Sequence, residues 1–154
     1  MNKFGLKTWL VALAAMVAIP AMAQTAEPDE VIKYRKYVMG TVGNHTQAFF
    51  AILKGKVPHQ DALVYHARSL ADAAAHTKAA FEQNTAGQGV EKTTSKENVW
   101  SGPEFMAGLD DMVVHTEALA SAMEAGDMAG VGAAAGEVGK TCKSCHDKFR
   151  SEHH

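Results

Sequence analysis

Cys142-Lys143-Ser144-Cys145-His146, close to the C-terminus, is the stretch that decides the fold of this chain. Its two cysteines are the only ones among the 154 residues. Two cysteines separated by two residues and followed directly by histidine form the spacing that attaches haem through two thioethers. On a helix, positions i, i+3 and i+4 share one face, so all three side chains can reach one porphyrin. The sequence therefore predicts one covalently attached haem c, with Cys142 and Cys145 as attachment sites and His146 as the proximal axial ligand.

Three other sites that use paired cysteines fit this sequence less well. A thioredoxin-like redox pair is expected in a βαβ setting, and no βαβ pattern is visible. A structural zinc site needs four ligands, and a second ligand pair is missing. A disulfide closing so short a loop inside a helix is strained and adds little stability. Haem attachment is the interpretation that uses the histidine.

The first 23 residues have the pattern of a secretory signal peptide. Lys3 and Lys7 precede an apolar run from Trp9 to Ile19, and Ala21-Met22-Ala23 supplies the small residues of a cleavage site. The run is shorter than the ~20 residues that a membrane-spanning helix needs. We therefore expect residues 1–23 to be a cleaved signal peptide and residues 24–154 to form one domain, without a membrane anchor after cleavage.

The charge of the mature chain excludes some partners. Cleavage removes two lysines from 15 basic residues, which leaves 13 against 17 acidic ones and a formal net charge of −4. A mildly acidic chain without a basic stripe argues against nucleic acid and against anionic membrane surfaces as partners. No serine-histidine-acid arrangement or glycine-rich phosphate loop is evident, so the sequence does not indicate an enzyme.

Apolar or semi-apolar residues recur in steps of three and four along four segments, as they do on helices with one buried face. The first segment includes Tyr34 and ends at Lys54-Gly55, a typical helix C-terminus. The second opens at Pro58 and keeps its rhythm to Phe81. Residues 83–102 have loop composition, and we expect Trp100 to anchor this loop on the core.

The last two segments have recognisable starts. Ser101-Gly102-Pro103-Glu104 predicts a serine-capped third helix. Asp127 is expected to cap a fourth helix whose inward stripe runs from Met128 through both cysteines to Phe149. Small residues on this helix would accommodate a flat cofactor: Gly130, Gly132, Gly136 and Gly139. Together the segments predict an all-α, antiparallel four-helix bundle of up-down-up-down topology with covalently attached haem.

The second axial position of the iron is left open by these patterns. Only eight residues follow His146, and none of them is methionine, so a second protein ligand would come from upstream. A methionine or histidine on a helix is more often a packed side chain than a ligand. The candidates are Met39, Met106, Met112, Met123, Met128, His45, His59, His66, His76 and His115.

The chain resembles the class II c-type cytochromes, which comprise cytochrome c′ and the low-spin cytochrome c-556 type. The resemblance covers essentially the whole mature chain. It rests on residues 142–150 (CKSCHDKFR) and 34–39 (YRKYVM), with weaker support from Lys54-Gly55 and Val99-Trp100. A haem attachment motif at the C-terminal end of the chain is itself unusual.

This resemblance implies roles for three further residues. The residue four positions after Arg35 is Met39, which would lie over the distal face of the haem. In c-556-type proteins a methionine there binds the iron, and the expected function is then that of a low-spin one-electron carrier with His146 and Met39 as axial ligands. The alternative is a five-coordinate, high-spin cytochrome c′ that binds nitric oxide or carbon monoxide. Arg35 would pair with a haem propionate, and Arg150 would lie near the proximal histidine.

The resemblance also implies a location and partners. Bacterial proteins of this kind receive their haem outside the cytoplasm, so with the signal peptide it predicts a periplasmic protein. Redox proteins are the expected partners of a carrier, and nitric oxide or carbon monoxide those of a gas binder. A homodimer through the first two helices is a further expectation by analogy.

Overall fold

A computed structural model describes residues 26–152 and contains four α-helices in that range. They are α1 (Pro28–Leu53), α2 (Leu63–Ala75), α3 (Glu104–Glu124) and α4 (Met128–Phe149). Each helix packs against the next one along the chain, which confirms the predicted all-α four-helix bundle. The predicted signal peptide, residues 1–23, lies outside the described residues.

The core of the bundle is apolar and nearly closed to solvent. Its fully buried members include Phe49 of α1, Leu70 of α2, Leu119 of α3 and Val138 of α4. Replacing one such leucine with alanine typically costs about 2–5 kcal/mol of stability. Within residues 26–152, no helix is both long enough and apolar enough to cross a membrane.

Two of the predicted helix ends are confirmed. Gly55 follows α1 with a φ of 67°, and its N–H donates to the carbonyl of Ile52 at 2.8 Å. Glycine takes this left-handed conformation without the steric penalty of a Cβ atom. At α4, the Asp127 carboxylate accepts a hydrogen bond from the Gly130 N–H at 3.0 Å, as an N-cap does.

The predicted start of α3 and end of α2 are wrong in detail. No side chain caps α3, and Glu104 in its first turn pairs instead with Lys148 of α4. The second helix ends at Ala75 and does not continue to Phe81. The hydroxyl of buried Thr77 donates to the carbonyl of Ala74 at 2.7 Å, which satisfies one of the last helical carbonyls as the chain turns away.

Two residues predicted to face inward are exposed. Tyr34 retains 52% of its accessible surface and Met128 retains 56%, while Ile32 and Arg35 of α1 are buried in place of Tyr34. The buried stripe of α1 is therefore rotated at its N-terminal end relative to the prediction. The fourth-helix glycines were also misjudged as a cofactor surface, since three of them face solvent: Gly132, Gly136 and Gly139.

The connection between α2 and α3 is fastened to the end of α4. Ser95 and Arg150 form an isolated antiparallel bridge. The N–H of Lys96 donates to the carbonyl of Phe149 at 2.9 Å, and the N–H of Ser151 donates to the carbonyl of Thr94 at 2.8 Å. Backbone pairing of this kind satisfies polar groups that would otherwise need water. It places the segment just before α3 beside the haem attachment motif.

Candidate haem site

A cavity of about 840 Å³ lies between α1, α3 and α4, with the connection before α3 along one edge. Consecutive helices of the bundle pack on each other, whereas α1 and α4 face each other mainly across this cavity. Its size falls within the ~300–1,000 Å³ typical of cofactor sites. The residues that line it include Met39, Gly40, Val42, Gly43, Phe81, Val99, Phe105, Gly108, Leu109, Met112, Cys142, Cys145, His146 and Phe149.

The C-terminal turns of α4 bring the predicted attachment motif to this cavity. Cys142, Cys145 and His146 all line it, and both cysteines are half-buried free thiols. Burial raises the pKa of each thiol above its ordinary value. Burial, followed by the positive charge of Arg150, lowers the pKa of His146. A lowered pKa keeps the imidazole neutral, which is the form that binds iron.

The opposite wall is contributed by α1. Met39 lines it, and Gly40 and Gly43 lie beside that methionine on the same helix. A Cβ atom built on either glycine would meet no heavy atom within 4 Å. The α1 wall therefore has no side chains at these two positions next to Met39, and no other protein atom fills the space in front of them.

These residues fit a covalently bound haem. Apolar side chains from α3, such as Leu109 and Met112, offer walls suited to a porphyrin, and two thiols and an imidazole lie on one side. The rim of the cavity is polar and carries basic groups suited to propionates. Its members include Lys36, Lys92, Thr93, Thr94 and Ser95.

Arg35 does not line the cavity. It is only 2% exposed, and its guanidinium donates to the carbonyls of Ala80 and Gln83 and to the hydroxyl of Thr85 at 3.1–3.3 Å. Burial lowers the pKa of Arg35. The guanidinium lies over the ring of Phe81, and Phe81 in turn lines the cavity. The propionate contact stays a prediction, and the burial of Arg35 shows that it is not a solvated surface arginine.

Arg150 lines the cavity together with His146. Its backbone N–H donates to the carbonyl of His146 at 3.0 Å as α4 ends. Its charge lowers the pKa of His146, which is the electrostatic effect of a nearby cation. The predicted role of Arg150 beside the proximal ligand stays a prediction.

The structure separates the candidates for the second axial position. Met39 and Met112 line the cavity, and none of the histidines considered for this role does so. The sequence did not indicate that Gly40, Gly43 and Gly108 line the cavity. These three residues share only the lack of a side chain on helices that are otherwise well packed. The polar rim at residues 92–95 was also missed, because it carries no motif.

Comparisons with known proteins agree with this geometry. A family profile described as cytochrome C' matches residues 30–150. The curated cytochrome c' of Pararhodospirillum photometricum is 39% identical over 126 residues, covering 81% of this chain and 99% of that protein.

Solved structures of the same family also match. The crystal structure of cytochrome c' from Rubrivivax gelatinosus has a TM-score of 0.74 at 30% identity, covering 83% of this chain and all of that one. A nitric oxide complex of a mutant cytochrome c prime from Alcaligenes xylosoxidans has a TM-score of 0.72 at 27% identity, covering 84% of this chain and all of that one.

Proposed function

The chain belongs to the cytochrome c′ family, and from this membership we propose that it binds nitric oxide at a five-coordinate, high-spin haem. Proteins of this family carry one covalently attached c-type haem and act as electron-carrier or gas-binding haemoproteins. The comparisons favour the gas-binding alternative over the His/Met-ligated c-556 function expected from the family resemblance. Nitric oxide complexes occur among the similar solved structures.

In this proposal, α4 holds the cofactor. The S–H groups of Cys142 and Cys145 would attach the haem by adding across its two vinyl groups, and the neutral imidazole of His146 would hold the iron. Haem held there supplies an iron centre that changes between ferric and ferrous states and takes a diatomic gas. Arg150 supplies positive charge near the proximal histidine, which favours the ferrous state.

The observation that carries the gas-binding function is the bare α1 wall beside Met39. Gly40 and Gly43 leave open space on the side of the cavity away from α4, so a small ligand has room there. Met39 borders this space. In this proposal it would restrict the size of the gas ligand without itself occupying the second axial position of the iron.

A second candidate function is one-electron transfer with Met39 as the distal ligand. The observation in its favour is that Met39 lines the same cavity as His146 from the facing helix. A thioether sulfur and an imidazole are the axial pair of many electron-transfer cytochromes and raise the reduction potential.

An absorption spectrum of the haem-loaded protein, with and without carbon monoxide, distinguishes the two functions. We expect a broad high-spin spectrum that changes on adding carbon monoxide or nitric oxide, and the same coordination in Met39→Ala. Sharp low-spin bands that become high-spin only in Met39→Ala would instead support the carrier. Met106→Ala is the matched control, because this half-buried methionine does not line the cavity.

Attachment and export have their own test. Acid extraction should leave haem on the wild-type chain and release it from the double variant Cys142→Ala/Cys145→Ala.

We further propose a periplasmic location, which N-terminal sequencing beginning at Gln24 in a periplasmic fraction would support. Redox partners and a homodimer through α1 and α2 remain proposals, and sedimentation of the purified protein tests the latter.

A further inference from the structure

His45 of α1 and His66 of α2 face each other between the two helices. Their Nδ1 atoms are 3.1 Å apart, and the ring planes are tilted by 52° with centroids 5.4 Å apart. Both side chains are half-buried, and neither lines the haem cavity. This pair is therefore separate from the site described above.

The distance between the two nitrogens restricts what they can hold. Both Nδ1 atoms cannot carry a proton at hydrogen-bonding distance, because two N–H groups would then point at each other. At least one Nδ1 lone pair therefore faces the other ring. The two nitrogens can share one proton. A metal ion that replaces this proton lies off the line joining the nitrogens, because the midpoint of a 3.1 Å separation is too close to each of them.

The same distance matches a chelated transition metal. Two imidazole nitrogens 3.1 Å apart, each about 2.05 Å from a shared ion, subtend an angle of roughly 100° at that ion. This value lies between the angles of square-planar and tetrahedral coordination. Imidazole nitrogen suits copper and zinc, and affinity along the first-row series peaks at Cu²⁺.

We propose that His45 and His66 form a two-histidine site for a divalent transition metal, which binds Cu²⁺ more tightly than Zn²⁺ and bridges α1 to α2. Within residues 26–152, no group of three or more histidine, cysteine or acidic side chains could hold a metal ion, so water completes the coordination. The site is thus an open one, suited to exchangeable binding.

The neighbouring Tyr65 supports both rings in this arrangement. Its ring makes edge contacts with His45 at 5.8 Å and with His66 at 5.0 Å between centroids. Tyr65 is itself 62% exposed, so the cluster lies at the surface and an ion can enter from solvent. Ligands that are already held in place lose less freedom on binding.

Titration of the haem-loaded protein with CuCl₂ tests the proposal. His153 and His154 could supply a competing site, so the background protein carries His153→Ala and His154→Ala. We expect one Cu²⁺ per chain by calorimetry, an electron paramagnetic resonance signal with nitrogen couplings, and its displacement only by a large excess of Zn²⁺. Zn²⁺ should also raise the unfolding temperature, because it binds the folded chain preferentially.

Two variants and a matched control complete the experiment. His45→Gln or His66→Gln should abolish the stoichiometric site and the Zn²⁺-induced rise in unfolding temperature. His115→Gln should retain both, since His115 is a half-buried histidine paired with Thr141 and not with another histidine. Absence of nitrogen coupling in the background protein, or equal Cu²⁺ binding by His66→Gln, overturns the proposal. The spectral readout on the unsubstituted pair also covers the case in which a variant fails to fold.

Discussion

The guanidinium of Arg35 lies over the ring of Phe81, 4.7 Å from the ring centroid, and Phe81 forms part of the cavity wall. The same guanidinium is 4.9 Å from the centroid of the Trp100 ring. Its donors also bond to the chain at Ala80, Gln83 and Thr85. Arg35 therefore connects α1 to the segment that follows α2 and supports one wall of the haem cavity.

We expect Arg35→Lys to destabilise the protein by about 1–3 kcal/mol, because a buried ammonium cannot replace the hydrogen bonds made by the planar guanidinium. Urea denaturation of the haem-loaded protein measures this change. Arg68→Lys is the matched control, since Arg68 pairs with Glu117 and Glu124 at the surface, where an ion pair contributes little to stability. Equal losses in the two variants would contradict the structural role of Arg35.

A comparison of Gly89 with Gly87 separates the cost of left-handed backbone conformation from the cost of a steric clash. Both have positive φ, 73° and 66°, but a Cβ atom on Gly89 would lie 2.1 Å from Oδ1 of Asp29, whereas one on Gly87 would meet nothing within 4 Å. Left-handed backbone costs a non-glycine residue about 1–2 kcal/mol. Gly87→Ala should therefore lose only this amount in thermal unfolding, and Gly89→Ala should lose more. If Gly89→Ala lost no more stability than Gly87→Ala, the Asp29 side chain would have moved away at no cost, which would contradict the predicted clash.

The stability contributed by Asp29 should depend on pH. The N–H groups of Glu91 and Val90 donate to this carboxylate at 2.9 and 2.7 Å and hold its pKa below the ordinary value. A carboxyl with a lowered folded-state pKa stabilises the fold above its unfolded pKa, and this contribution is lost as the pH falls through the folded value. In urea denaturation, Asp29→Asn should be less stable than wild type at pH 7, with the gap closing below about pH 4. A constant gap would exclude the carboxylate as its cause.

Filling the α1 wall should slow gas binding. Gly43→Leu places a side chain into the space beside Met39, and we expect the association rate of carbon monoxide to fall by about tenfold, equivalent to ~1.4 kcal/mol. Flash photolysis of the ferrous protein measures this rate. Gly132→Leu makes the same change on the solvent face of α4 and should leave the rate unaltered. A normal rate in Gly43→Leu would place the gas elsewhere.

The four-helix bundle was predictable because its signals are local and periodic. The cap at Asp127 and the terminus at Gly55 are properties of a few adjacent residues, and both appear in the structure. The placement of Cys142, Cys145 and His146 at one cavity follows from helical spacing alone.

What could not be predicted depends on contacts between distant segments. No local pattern indicated the hydrogen-bond partners of Arg35, which lie 45 to 50 positions away in the connection after α2. The glycines that shape the cavity were sought on α4, whereas α1 and α3 contribute Gly40, Gly43 and Gly108. A missing side chain has no periodic signal until the facing helix is known.

The pairing of residues 94–96 with the end of α4 divides the connection between α2 and α3 into two parts, which should differ in how well they tolerate inserted residues. An insertion near Ser95 would displace the end of the attachment helix, whereas Gly87 is exposed and lies between the anchor points at Thr85 and Val90. A fluorophore, affinity tag or fused reporter domain is therefore best introduced at Gly87, where it can be carried without disturbing the porphyrin environment.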